Sequence, residues 1–188
     1  MTEGQKTEKE ITGQQSLLKQ TAAKIVMPIR VPLSKGVLVV DESICTGCQN
    51  CMFACTLTRD GVACPELARI QLNVRWINQP HVAAQPCQQC VDPQCMRYCP
   101  TKAIKVDEVT GARVIDEALC IGCQTCIQAC PYEIPRIRFD RVKKKATKCD
   151  LCGGDPACVK ACQTGALTYY TNPDGVRCGY VQPKGSDR

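Results

Sequence analysis

Alternating apolar and polar residues predict short strands and tight turns rather than long helices. The clearest alternation puts an apolar residue at every second position, at Ile70, Leu72, Val74 and Trp76. This alternation is typical of a half-buried strand. Farther along, AIKVDEVTGARVID predicts a hairpin that turns at Thr110-Gly111. The segment IRFDRVKKKATKC predicts another hairpin, with a basic tip.

The first 36 residues form an N-terminal arm that differs from the rest of the chain. Its start is polar, and apolar residues between Gln14 and Val26 then recur at the spacing of one helical face. Pro28 and Pro32 favour an extended segment after this predicted helix. Two interpretations stay open: a frayed tail, and an arm that packs on another subunit.

The strand-and-turn pattern is repeated within the chain. VVDESIC, which ends at Cys45, matches VIDEALC, which ends at Cys120, and each leads into C-x2-C-x2-C-x3-C. A second repeat relates CQQCVDPQCMRYCPTKAI to CDLCGGDPACVKACQTGAL, both of which carry Asp-Pro in a widened third gap. The chain is therefore interpreted as a duplicated pair of modules.

Sixteen of the eighteen cysteines fall into four groups of four. Groups one and three are Cys45, Cys48, Cys51, Cys55 and Cys120, Cys123, Cys126, Cys130; groups two and four are Cys87, Cys90, Cys95, Cys99 and Cys149, Cys152, Cys158, Cys162. Because four thiolates hold one cubane, the count implies four 4Fe–4S clusters and single-electron transfer. Zinc ribbons use paired cysteines rather than such quartets, and disulfides need an oxidising compartment.

The spacing within each group has a physical reason. Three cysteines at short gaps let a loop wrap one cubane, whereas the fourth starts a helical turn and points elsewhere. In two-cluster ferredoxins this fourth cysteine binds the neighbouring cluster. Twenty residues separate Cys99 from Cys120 and eighteen separate Cys130 from Cys149, and either gap suits such a ferredoxin. Spacing alone leaves open whether group three pairs with group two or with group four.

Composition and charge narrow the function classes. Aromatic residues make up 4% of the 188 residues, so an ordinary core is thin and bound clusters would supply folding free energy. Four oxidised sites of charge −2 move the formal charge from +6 to about −2, so we expect no nucleic-acid partner. The stretch MTEGQKTEKEITGQQ shows no apolar signal core and no twin arginine, and no apolar run reaches the roughly 18 residues of a membrane span. We therefore expect a cytoplasmic protein without a membrane span.

The segments CIGCQTCIQACPY, CVDPQCMRYCP and KCDLCGGDPACVKACQTGAL resemble the four-cluster iron–sulfur subunits of molybdenum and tungsten oxidoreductases. The dimethyl sulfoxide reductase type and the small subunits of tungsten aldehyde oxidoreductases are similar. The resemblance covers residues 37–170 and implies that group one pairs with four and group two with three. The implied ligand sets are Cys45, Cys48, Cys51, Cys162; Cys149, Cys152, Cys158, Cys55; Cys87, Cys90, Cys95, Cys130; and Cys120, Cys123, Cys126, Cys99.

Two positions depart from the pattern of that family. Thr56 and Gln163 stand where the proline of Cys-Pro is usual. We expect this change to loosen a turn without removing a ligand. The chain also lacks the long insertions of many relatives, which indicates a compact variant.

Together these observations predict an α+β fold, in which two interleaved ferredoxin-like modules surround four cubane clusters with short strands, hairpins and short helices. Residues 37–64 and 146–188 form the predicted outer module, residues 65–145 the inner one, and residues 1–36 the arm. No nucleophile–base pair, substrate-cofactor loop or open metal position stands out in the sequence. We therefore expect electron transfer without catalysis by this chain.

The implied function is a polyferredoxin subunit that relays single electrons through four 4Fe–4S clusters. Its expected partners are a molybdopterin-type tungsten or molybdenum catalytic subunit, with an aldehyde oxidoreductase as the candidate, and a second redox protein. The N-terminal arm is a candidate contact with another subunit. A free-standing soluble ferredoxin shuttle is the alternative, and a structural zinc protein is the less favoured one.

Several residues are assigned no role in electron transfer. Cys64 and Cys178 belong to no quartet and are interpreted as free or buried thiols. His81 is the single histidine, which excludes a Rieske centre and bis-His haem ligation by this chain. For the basic hairpin we favour a solvated turn over a docking site; its basic residues are Arg136, Arg138, Arg141, Lys143, Lys144, Lys145 and Lys148. The 26 residues after Cys162 predict a short tail.

Overall fold

The computed structural model describes residues 31–75 and 81–181. The strands are β1 Ser34–Val40, β2 Gln71–Arg75, β3 His81–Gln85, β4 Ile104–Val106, β5 Arg113–Ile115, β6 Ile137–Asp140, β7 Lys145–Lys148 and β8 Leu167–Val176. The helices are α1 Asn50–Asp60, α2 Gln94–Arg97, α3 Thr125–Gln128 and α4 Ala157–Lys160, with 3-10 turns at Pro65–Leu67 and Leu151–Gly154. The predicted arm helix, Trp76 and residues 182–188 lie outside the described residues.

The strands pair as four separate antiparallel ladders: β1 with β8, β2 with β3, β4 with β5, and β6 with β7. The predicted hairpins at AIKVDEVTGARVID and IRFDRVKKKATKC are therefore confirmed. The first turns where predicted, because the Gly111 amide donates to the Asp107 carbonyl at 2.8 Å. The predicted alternating strand is β2, and it pairs with β3.

The long ladder between β1 and β8 joins segments from opposite ends of the described chain. Val40 lies opposite Leu167, and Gly36 lies opposite Thr171. The prediction of a short tail after Cys162 is wrong, since β8 is ten residues long. Its start, Leu167 to Thr171, carries β-branched and aromatic residues that suit a strand, and Leu167 is buried in the core.

The helix α1 is the longest helix among the described residues, and its length results from the loss of a proline. Thr56 stands where Cys-Pro would end the helix, and the helix instead continues to Asp60, with Gly61 as its left-handed C-cap. Thr56 is buried, and its hydroxyl donates to the carbonyls of Met52 and Phe53 at 3.3 and 3.1 Å. The expectation of a loosened turn is therefore wrong at this position, because the change lengthens a helix.

At Gln163 the turn also keeps its shape without proline. The Gly165 amide donates to the Cys162 carbonyl at 3.3 Å, and the Lys102 amide makes the matching bond to Cys99 at 3.2 Å. Lys102 and Gly165 both have positive φ, 54° and 71°. The turn is fixed by these backbone bonds, so Gln163 can replace the proline that Pro100 supplies in the other copy.

Buried cysteines form part of two hydrophobic clusters. The larger includes Leu38, Ile70, Leu151 and Leu167 together with five buried cysteines, and the smaller includes Ile104 and Ile137 together with Cys120 and Cys126. The predicted α+β fold with short strands, hairpins and short helices is confirmed, while the boundaries of the two modules stay a prediction. Within the described residues no helix has the length and apolar character that crossing a bilayer requires.

Candidate metal centres

The four cysteine loops share a backbone that turns through the left-handed region. In groups one and three the residue after the second cysteine has positive φ, at Gln49 (66°) and Gln124 (61°). In groups two and four the residue before the second cysteine does so, at Gln89 (48°) and Leu151 (59°). Loops that mix right- and left-handed residues turn successive amides to one side, which makes a concavity for anions. Such loops fit the net negative charge of an iron–sulfur cluster bound by four thiolates.

Three cavities are each lined by four cysteines, and we number them as sites. Site 2 gathers Cys149, Cys152, Cys158 and Cys55; site 3 gathers Cys87, Cys90, Cys95 and Cys130; site 4 gathers Cys120, Cys123, Cys126 and Cys99. Their empty volumes, including space open to solvent, are 330, 340 and 320 Å³. The feature that the three cavities share is their set of four thiols, which suits the same kind of occupant in each.

The first group meets a distant cysteine at site 1. The thiols that act electrostatically on Cys51 are Cys48, Cys45 and Cys162. Site 1 therefore comprises Cys45, Cys48, Cys51 and Cys162, and its last member lies on the turn that precedes β8. All four groupings coincide with the sets implied by the resemblance. Ligation of iron by these residues stays a prediction.

Short helices distribute cysteines between adjacent sites. On α1, Cys51 faces site 1 and Cys55 lines site 2. Side chains four residues apart on a helix have Cβ atoms about 5–6 Å from each other. Cys126 on α3 and Cys130 just after it make the same division between sites 4 and 3. The three-residue gap before the fourth cysteine thus places two sites next to each other.

Backbone amides reach two of the crossing sulfurs. The amide of Arg69 donates to Cys55 Sγ at 3.4 Å, and the amide of Arg136 donates to Cys130 Sγ at 3.3 Å. Such bonds favour the thiolate and tune the potential of a bound cluster. Cys55 and Cys130, which each line a site formed mainly by another loop, are therefore each hydrogen-bonded by a backbone amide.

Burial raises the pKa of the inner thiols. It rises to about 11 for Cys51 and Cys126 and to about 12 for Cys95 and Cys158. Loss of contact with water is the largest cause at each, and repulsion from neighbouring thiolates adds to it. The thiolate is the metal-binding form, so loading with iron must release these protons. The positive iron then offsets the charge that burial disfavours.

The ligands of each quartet bear on the kind of metal centre that it can hold. Four sulfurs around zinc each lie about 2.3 Å from a single centre. Among residues 31–75 and 81–181 no three His, Cys, Asp or Glu side chains converge closely enough to share one metal ion. All sixteen quartet cysteines are within these ranges. Four thiolates per site are the ligand set of a 4Fe–4S cubane.

Four of the seven basic residues of the predicted hairpin do not lie in a solvated turn: Arg138 and Lys145 are half-buried, and the other two face a cavity. Lys148 is buried, and Arg136 is half-buried; both line site 3. Arg113 lines the same cavity, and no sequence motif marks it as a site residue. The sequence does not indicate that Arg113 and Lys148 face inward, because a charged residue on the inner face of β5 or β7 interrupts the apolar alternation that would mark that face. The hairpin tip at Arg141, Lys143 and Lys144 is exposed, as predicted.

The two cysteines outside the quartets are thiols in different surroundings. Cys178 donates its thiol hydrogen to the Gln88 carbonyl at 3.0 Å, and burial raises its pKa to about 11. Cys64 is half-buried and accepts, through its carbonyl, the Leu67 amide at 3.0 Å. Neither residue lines sites 2 to 4, which agrees with their exclusion from the ligand sets.

Comparisons with known proteins bear on the identity of the chain. Residues 79–172 match the 4Fe–4S dicluster domain. A polyferredoxin-like subunit of an aliphatic sulfonate oxidoreductase from Pyrococcus furiosus is 42% identical over 127 residues, which are 66% of this chain and 70% of the relative. Protein NrfC of Escherichia coli is 39% identical over 144 residues, with coverage of 70% and 63%. The chain thus spans less than two thirds of the length of some relatives.

Two further comparisons are more distant. The beta subunit of NADH-dependent phenylglyoxylate dehydrogenase from Aromatoleum evansii is 35% identical over 135 residues, which are 71% of this chain and 30% of the relative. The active-site complex BamBC of benzoyl coenzyme A reductase has a chain with a TM-score of 0.43 and 18% identity, with coverage of 79% of this chain and 82% of that one. The domain match and the relatives together confirm the resemblance carried by the motifs: the chain belongs to the 4Fe–4S dicluster family and is an electron-transfer iron–sulfur protein of the polyferredoxin type.

Proposed function

We propose that the chain is a subunit that relays single electrons through four 4Fe–4S clusters, held by sites 1 to 4. The observation that carries this proposal is the set of three similar cavities, each lined by four cysteines, with a fourth set around Cys51. Each cluster passes one electron at a time. The role of the protein is to hold the clusters near one another and to set their potentials.

The contacts support a linear order of the sites, from 1 through 2 and 3 to 4. Sites 1 and 2 share α1, and sites 3 and 4 share α3 and its following turn. Between sites 2 and 3 the buried Gln89 donates to the Cys149 carbonyl at 2.9 Å and accepts the Arg113 amide at 2.9 Å. The loop of site 3 is therefore bonded to the loop of site 2, which supports electron passage between them.

The exposure of the cysteines supports electron entry and exit at the two ends of this order. Of the eighteen cysteines, all of them in the described residues, Cys48 and Cys123 are exposed. Cys48 belongs to site 1 and Cys123 to site 4. Ile44 lies just before the loop of Cys48, and Ile121 lies on the loop of Cys123. Their side chains are 45% and 65% exposed. Apolar side chains beside an accessible thiolate suit contact with a redox partner.

We propose a molybdopterin-type tungsten or molybdenum catalytic subunit at one end and a second redox protein at the other. Within this class the tungsten aldehyde oxidoreductase remains our candidate, on the strength of the motif resemblance. The names of the relatives support a place in an oxidoreductase complex, although they include a sulfonate oxidoreductase and a phenylglyoxylate dehydrogenase. We also propose that the complex works in the cytoplasm.

The test is native co-purification with metal analysis. The tagged chain is isolated without oxygen from its own cells, and iron, zinc, molybdenum and tungsten are measured in the purified fraction. The proposal predicts a large stable partner that carries molybdenum or tungsten, and brown iron–sulfur absorption at about 400 nm that bleaches on reduction. A chain that purifies alone with iron would indicate the soluble ferredoxin shuttle. A colourless chain that contains zinc would indicate the structural zinc protein.

A further inference from the structure

Site 3 is surrounded by positive charge. Arg113, Arg136 and Lys148 line its cavity beside the four cysteines, and no Asp or Glu is among the described residues that line it. The three cations come from different places in the chain: β5, the segment before β6, and the end of β7. Their convergence on one cavity is a product of the fold rather than of a local charge run.

Arg113 lacks acceptors for much of its guanidinium. It is completely buried, and its Nη1 donates to the Gly111 carbonyl at 2.6 Å. Its Nε and Nη2 find no acceptor among the described residues. A guanidinium keeps its charge in proteins, and leaving buried donors unpaired is costly. The thiolates that act on it are Cys90, Cys87 and Cys95 of site 3, with Cys90 the strongest, and Cys178, which lies outside the site.

Arg136 and Lys148 have no carboxylate beside them among the described residues that line this cavity. The Arg136 guanidinium lies 5.1 Å from the centre of the Tyr132 ring, and its Nε and Nη1 have no acceptor within the described structure. Lys148 Nζ donates to the neutral amide oxygen of Gln89 at 3.2 Å. Cys130 acts most strongly on Arg136 among its negative neighbours, and the exposed Glu42 acts more weakly.

The other two cavities have no such excess of cations. At site 2, Arg69 forms a two-pronged ion pair with Asp60, and the carboxylate of Asp150 lies in the cavity wall as well. At site 4, apolar residues such as Ile104, Ile115 and Ile121 supply much of the lining, and no charged residue is among those described there. The same kind of cluster would therefore experience a different electrostatic field at each of the three sites.

The cations favour the reduced form of a cluster at site 3. One-electron reduction takes a cubane with four thiolates from −2 to −3, so nearby positive charge stabilises the product more than the reactant. Buried charges are weakly screened by salt and water. Net charge and hydrogen bonding are two of the factors that set cluster potentials. Arg113 and Arg136 provide positive charge at this cavity, and their unpaired N–H groups provide hydrogen-bond donors.

We propose that site 3 has a higher reduction potential than sites 2 and 4 and accepts an electron before either of them. Arg113, Arg136 and Lys148 are positioning residues that act through the field they impose on it. This inference rests on the proposed function, since it assumes a cluster at each site. Electrons would then collect at an interior site, away from the exposed Cys48 and Cys123, before they reach sites 2 and 4.

The test is a reductive titration of the whole chain, followed by electron paramagnetic resonance. Arg136→Met and Lys148→Met each remove one charge of the set, and each is expected to lower the midpoint potential of site 3, the highest among those of sites 2, 3 and 4. The expected change is roughly tenfold in the reduction equilibrium, which is ~59 mV for one electron. Arg136→Lys keeps the charge and is expected to keep the potential. Lys143→Met is the matched control, because it removes an exposed charge from the same hairpin.

The outcomes separate this inference from the proposed function. An unmodified chain without four clusters would contradict the proposed function and this inference together. Midpoint potentials that are all unchanged in Arg136→Met, at full iron content, would overturn the inference alone. The inference would also be overturned if Arg136→Lys lowered the midpoint potential of site 3 as much as Arg136→Met does. An equally large decrease in Lys143→Met would overturn it as well. Should Lys148→Met lose iron, the Arg136 pair still decides between these results.

Discussion

The first and third cysteine loops, residues 45–55 and 120–130, share one motif and differ in the residue directly after it. After the third loop, Pro131 accompanies a helix of four residues. After the first, Thr56 lets helix α1 run for eleven residues. The first loop is completed by Cys162, over a hundred residues away, and the third by Cys99, on the preceding loop. The same cysteine motif can therefore precede a long or a short helix, because the residue after its last cysteine determines whether the helix continues.

The longer helix gives the first loop a second anchor. Near its end, Arg59 forms an ion pair with Asp150 at 2.5 Å, on the loop of the fourth group. Asp60 pairs with Arg69, whose amide bonds to Cys55. The extension therefore ties the first group to the fourth, with which it shares sites 1 and 2. The third loop needs no such extension, since its partner group lies shortly before it in the sequence.

The largest expected effect comes from removal of the cysteine that completes the first loop. Cys162→Ala and Cys48→Ala are both expected to destroy the cluster of site 1, with iron falling from about 16 toward about 12 per chain. Because both act on one cluster, the double variant should lose no more iron than either single variant. Iron analysis and the resonance spectrum of the reduced protein measure the loss.

Cys64→Ala serves as the control for these variants, since Cys64 belongs to no site, and full iron is expected. An intact cluster at Cys45 in Cys162→Ala would contradict the grouping. It would show that the first loop draws its fourth sulfur from elsewhere.

The next effect comes from restoring the missing proline. Thr56→Pro places proline in the interior of α1, where it removes a helical amide and clashes with the preceding turn, at a cost of about 3 kcal/mol or more. It also removes the buried hydroxyl bonds to Met52 and Phe53. We expect a lower denaturant midpoint for the iron-loaded protein, measured by loss of visible absorption.

Gln163→Pro is the matched comparison, since Pro100 stands at the equivalent turn. It should change stability by less than about 1 kcal/mol, because the turn tolerates proline in the other copy. Equal losses from the two substitutions would contradict the account of why the helices differ.

Two glycines at equivalent positions give an intermediate effect. Gly47 and Gly122 have φ of 69° and 72°, so alanine is strained by about 1 kcal/mol or more at either. A Cβ at Gly122 would lie 2.3 Å from the Lys144 carbonyl oxygen, whereas at Gly47 it would meet a Val82 methyl at 2.5 Å. Backbone yields less readily than a side chain.

Gly122→Ala is therefore expected to cost more stability than Gly47→Ala, by about 1–2 kcal/mol in denaturant unfolding. An equal or reversed order would mean that the hairpin tip at Lys144 moves more freely than the β3 strand that carries Val82.

The smallest effect concerns the anchor at the end of α1. Arg59→Ala breaks the ion pair with Asp150, but the Arg59 side chain is 40% exposed. Exposed pairs are worth about 0–1 kcal/mol, and salt screens them. We expect a loss of that size at low salt and a smaller one at high salt, in the same unfolding assay. A loss well above this range would show that the anchor, rather than the helix itself, holds the first loop.

Much of this architecture could be predicted because the motifs are local. The cysteine spacing and the repeats indicated the four groups, and apolar alternation around Thr110-Gly111 indicated a hairpin. The strand β8 was missed because its sequence, LTYYTNPDGV, ends in residues typical of a turn. What makes it a strand is its pairing with β1, more than a hundred residues away.

The cations of site 3 could not be predicted for a related reason. Lys148 and Arg136 belong to a basic run, and basic runs are solvated when the hairpin that carries them is exposed. Here the base of the hairpin packs against the loop of group two, so that these two side chains face a cavity while Lys143 and Lys144 remain exposed. Which end of a hairpin is buried depends on tertiary contacts that no local pattern records.

The most direct test of the central claim is the iron and acid-labile sulfide content of the chain, purified without oxygen. Four 4Fe–4S clusters require about 16 of each per chain. An iron content of about 8, enough for two clusters, or zinc in place of iron would contradict the assignment of a cluster to each of the four sites.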